Sequence, residues 1–130
     1  MNTNFNKLWR LNSTLFLFAL IFETSSVFAQ SPTLAEIDRL HQESTSKQEY
    51  ENISSQIEKV LAINPNQYKW KWRQARAHYG LAKKSEDSKI DHYRQCILYS
   101  SQAIELQPDS AISYFYRGLC LGKQGEMKGV

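Results

Sequence analysis

His78, His92, Cys96 and Cys120 are the side chains of this 130-residue chain whose types suit a metal ion best. His92 and Cys96 lie four residues apart, on one face of a helix, where an imidazole and a thiolate can share a cation. That spacing is common in packed helices, so no metal and no cofactor is expected from it. A second stretch, Tyr68-Lys69-Trp70-Lys71-Trp72-Arg73, alternates aromatic and basic side chains, a pattern able to stack on nucleic-acid bases or to lie at a membrane interface. Catalysis finds no footing in the sequence: there is no nucleophile beside a base, no pair of acids and no Gly-rich phosphate loop. Glu43, Glu49 and Glu51 flank turns, and Glu86-Asp87 belongs to a charged stretch. The chain reads as a binding protein rather than an enzyme.

The composition is 42% hydrophobic and 22% charged with few Pro and Gly, which excludes disorder, collagen and a long coiled coil. Residues 1–29 have the form of a secretory signal. Lys7 and Arg10 precede an apolar run from Leu15 to Phe22, and Val27-Phe28-Ala29 supplies a small-x-small cleavage site. The run is bounded by Thr14 and Glu23, well short of the ~20 residues of a spanning helix, so cleavage after Ala29 is expected rather than an anchor. Removing this segment takes Lys7, Arg10 and Glu23 with it and lowers the formal charge of +3 by one. So mild an excess argues against nucleic acid as a partner and leaves Lys69, Lys71 and Arg73 as solvated helix positions. The expected destination is the periplasm or the exterior, with no stable membrane insertion after cleavage.

Apolar spacing sets out the elements of residues 30–130. Leu34, Ile37 and Leu40 mark one helix, and Ser44-Thr45-Ser46 breaks it. Ser46-Lys47-Gln48-Glu49 has the form of a capping box, followed by the stripe Tyr50, Ile53, Ile57, Val60. Trp72, Ala75, Tyr79 and Ala82 continue the aromatic-basic stretch as a helix, residues 83–89 form a charged loop, and helical spacing resumes from Ile90 to Leu106. A further helix is expected from Ala111 to about Leu121, before Gly122 and Gly125. Two helices end alike, at Ile63-Asn64-Pro65 and Leu106-Gln107-Pro108, which makes the unit helix, turn, helix, Pro.

These motifs resemble the tetratricopeptide repeat, a helix-turn-helix of about 34 residues with W-x2-L-G-x2-Y, then A-x3-F, then P. Trp72-x2-Ala75-Arg76-x2-Tyr79 and Tyr114-x2-Arg117-Gly118-x2-Leu121 are similar to its first part. Ile53-x3-Ile57 and Cys96-x3-Ser100 occupy the second, and Ile57 and Ser100 are equidistant from Pro65 and Pro108. The spacing between the two prolines exceeds one repeat, an excess assigned to the charged loop, and Ser100 stands where the family has a large apolar residue. Trp72 to Ala77, together with Gly118 to Gly129, also resembles the regulator of microtubule dynamics family and its bacterial relatives.

The resemblance implies an all-α solenoid of two repeats plus the first helix of a third, whose partner helix would lie past Val130. A longer chain is then expected to melt higher. It implies a repeat core of Trp72, Ala75, Tyr79, Tyr114 and Gly118, with Pro65 and Pro108 closing repeats and Gly118 allowing close helix approach. Cys96 falls at a small buried position of the repeat, which favours a packed thiol, or a disulfide to Cys120 in an oxidising compartment, over a metal ligand. The concave groove would be lined by Trp70, Arg73, Gln74, Ala77 and Leu81, and by Ile112, Phe115, Tyr116, Leu119 and Lys123, with Trp70 as its exposed hot spot. The function so implied is an exported adaptor that holds a protein or peptide. The alternatives are a microtubule- or organelle-associated adaptor with an uncleaved anchor, and a carrier of a small molecule or metal.

Overall fold

The computed structural model describes residues 30–129. The expected signal segment 1–29, with its cleavage site, lies outside the described residues, as does Val130. Five helices and no strand make up the described residues: α1 Leu34–Glu43, α2 Lys47–Ile63, α3 Tyr68–Lys84, α4 Lys89–Leu106 and α5 Ala111–Lys128. The protein is all-α in this part of its chain.

Local chemistry sets the helix ends. Ser46 Oγ accepts the Glu49 amide while Glu49 accepts the Ser46 amide at 2.8 Å, so two amides that a helix start leaves unpaired are satisfied reciprocally. Thr33 and Glu36 do the same for α1. At the other ends, Asn64 and Gln107 donate back to Val60 and Ala103, and Pro65 and Pro108, with no amide to offer, forbid another turn.

Two expected boundaries shift. Lys83 and Lys84 complete α3, where positive charge complements the helix dipole, and Lys89 opens α4. The link is therefore only residues 85–88, and the excess length between the two prolines lies in long helices rather than in a charged loop. The last helix runs past Gly122 and Gly125 to Lys128, because a Gly inside a helix costs about 1 kcal/mol without breaking its hydrogen bonds. It ends at Gly129, whose φ of 73° lets its amide turn back to Glu126 and Gly125.

Two apolar clusters meet on α3. One combines Ile37, Ile53, Ile57 and Leu61 with Trp70 and Ala77. The other combines Ala75 and Ala82 with Tyr93, Cys96 and Cys120. α3 packs against both α2 and α4, antiparallel to each: Tyr50 meets Gly80 while Glu58 reaches Gln74, and His92 meets His78 while Gln102 reaches Lys71. α5 packs on α4 and touches α3, and a disulfide from Cys96 to Cys120 joins it to α4 with the two Cα atoms 6.3 Å apart.

Among the glycines, it is Gly80 and not Gly118 that allows a close helix approach. A methyl group at Gly80 would meet the Tyr50 ring at 2.5 Å, and that ring is held by its hydroxyl donating to the Ser44 carbonyl at 3.2 Å. Gly118 has nothing within 4 Å, so it serves no close contact among the described residues. Gly80→Ala should lower stability by about 1–3 kcal/mol, overpacking outweighing the gain in helix propensity, while Gly118→Ala should raise it by about 0.5–1 kcal/mol. Urea unfolding of the two variants checks this, and changes of the same sign would contradict the packing described.

Candidate interaction groove

α3 has two buried stripes because it has two packed neighbours, and the side chains between those stripes define a third face. Trp70, Gln74 and Ala77 turn toward α2, where Gln74 donates to Ser54 Oγ at 2.8 Å, and Ala75, His78 and Ala82 turn toward α4. Trp72, Arg73 and Arg76 are left on the remaining side, facing α1 and α5.

Asp38 of α1 organises that side. Its two carboxylate oxygens accept from Arg73 Nε at 2.8 Å and Arg73 Nη2 at 2.6 Å, and Oδ1 also accepts from Arg76 Nη2 at 2.6 Å. Burial opposes ionisation of Asp38, but the hydrogen bonds and positive charges of Arg73 and Arg76 outweigh it and hold the carboxyl below its ordinary range. Both guanidinium groups lie over the Trp72 indole, Arg73 at 4.1 Å and Arg76 at 5.0 Å from its ring centre. On α5, Tyr116 stacks parallel to the same indole at 6.3 Å. One acid, two bases and two rings thus tie α1, α3 and α5 into a single polar-aromatic surface.

Beside it opens a groove of about 430 Å³. Its floor is Tyr68, Lys69, Trp72 and Arg73, with Leu34 of α1 on one side and Asp109, Ser110 and Ile112 on the other. Lys69 and Arg73 on the floor face Asp109 on the wall, and Asp38 neutralises much of Arg73, so the groove offers mixed charge beside its aromatic area. Phe115 extends the apolar surface along α5 and is 58% exposed.

The expected groove residues divide accordingly. Trp70 is 7% exposed and packs in the first cluster, and Gln74, Ala77 and Leu81 are also buried. The two tryptophans have exchanged their expected roles: Trp70 is the core anchor, and Trp72 lies half-buried on the groove. The cause is rotational, since α3 buries the stripe of Trp70 to satisfy α2 and so turns Trp72 away. Arg73, Ile112, Phe115 and Tyr116 do lie on the α1–α3–α5 side. Leu119 is half-buried on α5, and Lys123 is engaged with Glu126 at 2.9 Å.

Of the expected repeat core, Ala75 is buried and Tyr79 packs against Tyr93 and Tyr116, but Tyr114 is 48% exposed. Nothing among the described residues covers that face of α5. Pro65 and Pro108 stand exposed in the turns. Of the options open for the cysteines, the structure has the Cys96–Cys120 disulfide, so neither sulfur offers a thiolate to a metal beside His92. The sequence reading passed over Asp38 and met Arg76 only as part of the repeat-like motif: the two pair across two helices, and no local spacing signals a contact so far apart in the chain.

His41, at the edge of this network, packs edge-on against Tyr50. Burial, and then the charge of Arg76, lower its pKa from 6.5 to about 4. The folded form therefore binds fewer protons than the unfolded one, and the stability this gives is complete above 6.5 and lost as pH falls toward 4. The urea midpoint should decline through that window, and less so in His41→Gln. A midpoint independent of pH there would contradict the burial of a neutral His41.

No curated protein and no solved structure matches the chain significantly. One protein-family model does match, that of Regulator of microtubule dynamics protein 1-3, over residues 33–130. This span takes in all five helices, the Asp38–Arg73–Arg76 network and the groove beside it, and the chain belongs to the family of Regulator of microtubule dynamics protein 1-3.

Proposed function

We propose that the protein is a non-catalytic adaptor that seats an extended protein or peptide segment in the groove between α1, α3 and α5. The observation that carries this reading is the fixed position of Trp72. Its ring is fixed by contacts with two guanidinium groups and Tyr116, and what it leaves exposed lines an open groove, so a partner meets a preordered surface and loses little entropy in ordering it. An extended segment suits the open groove, and its mixed charge favours a polar peptide over a partner as highly charged as a nucleic acid.

A tetratricopeptide-like solenoid is the repeat architecture we assign. It is supported by the shift that carries Pro65 to Pro108, which also carries Trp70 and Ala77 onto Ser113 and Cys120. The first pair is buried against α2, and the second pair is buried with Cys120 bonded to α4. Each hairpin thus offers the next helix the same kind of seat. Export through a cleaved segment 1–29 is part of the proposal, supported by the charge and apolar pattern of that segment and by a disulfide that suits an oxidising compartment. The family's name favours a second reading, a microtubule-associated adaptor that keeps residues 1–29 as an anchor. The intact mass of the protein from its native cell separates the two.

Affinity capture from the native extracytoplasmic fraction tests the groove, with Trp72→Ala and Phe115→Ala against the unaltered chain. Trp72→Ala should weaken capture of a specific protein by at least about tenfold while the circular dichroism spectrum is retained. Capture unchanged by both substitutions would overturn the assignment of the groove.

A further inference from the structure

We propose that His78 and His92 form a two-histidine chelate for a divalent cation of the Cu2+ and Zn2+ class. The antiparallel pairing of α3 with α4 brings the two Nδ1 atoms to 3.2 Å. A tetrahedral ion bound at ~2.0–2.1 Å to each nitrogen spans donors about 3.3 Å apart, so the packing already supplies the separation such an ion needs. His78 is buried, and its ring is fixed by parallel stacking on Tyr99 at 5.6 Å. His92 is half-buried, which leaves the outer side of the pair open to water ligands.

The two rings meet through the same atom, so in the free protein one ring must present Nδ1–H and the other a lone pair. A bound cation takes the place of that hydrogen. The donor ring keeps its proton on Nε2 instead, so binding shifts a tautomer and releases no net proton. Three charged groups influence His92: Glu51 of α2 and Asp91 of α4 favour a cation beside it, and Lys47 of α2 opposes one. Among the described residues no third His, Cys, Asp or Glu joins the pair, so water completes the coordination and the ion exchanges readily. Imidazole nitrogens suit Cu2+ and Zn2+, with Cu2+ the tighter, and exclude Mg2+ and Ca2+. The cation would bridge α3 to α4 and stabilise the fold that the groove depends on.

The test is titration of the full chain with Cu2+, read by the nitrogen splitting in electron paramagnetic resonance, and with Zn2+, read by calorimetry and melting temperature. One equivalent should bind through two nitrogen donors. His92→Gln, at a half-exposed position, should keep the fold, weaken binding by at least about tenfold and abolish the Zn2+-dependent rise in melting temperature, whereas His41→Gln should change none of these. Failure of the unaltered chain to bind either ion more tightly than millimolar would overturn the proposal, as would binding unaffected by His92→Gln or by His78→Gln.

Discussion

The fold depends on the burial of α3 against two helices at once. A helix in that position needs small side chains where neighbours come close and large ones where they recede, and α3 supplies both. Ala75, Ala77, Gly80 and Ala82 permit approach, and Trp70 fills the space among Ile53, Ile57 and Leu61. Burying Trp70 and the aliphatic side chains around it contributes on the order of 2 kcal/mol each before entropy is counted, which makes this cluster the main source of stability for the first three helices. The disulfide holds α5 to α4 by a separate means.

What remains of α3 after this burial is what the protein can use. Only one side of the helix is left, and it carries Trp72 and two arginines. Arginines facing an indole without a counter-ion would repel one another. Asp38 removes that cost by accepting from both, and in doing so it attaches α1 to α3. The order of the surface beside the groove is therefore a consequence of the same packing that makes the core, and a partner would meet a surface already organised.

The helices were legible in the sequence because their signals are local. The capping box at Ser46, prolines after α2 and α4, and apolar stripes act within a few residues, and they place four of the five helices closely; the like box at Thr33 was not singled out. Which face of α3 is buried was not legible, since Trp70 and Trp72 sit on different sides of one helix and either makes an aromatic anchor. The choice is made by α2, whose stripe of Ile53 and Ile57 selects Trp70. Asp38 with its arginines, Gly80 with Tyr50, and the two facing histidines are pairings between helices, set by how the hairpins stack. The cysteine pair was legible as an option because the resemblance placed both residues on neighbouring helices.

The claim on which the account rests is that α3 is the most deeply secured element and that its exposed side is held by the core beneath it. Native-state amide hydrogen exchange across the five helices measures this most directly. The account predicts slowest exchange in α3 from Trp70 to Ala82, opening only with global unfolding, and faster exchange in α1 and in the last turns of α5. Exchange in α3 as fast as at the end of α5 would contradict it.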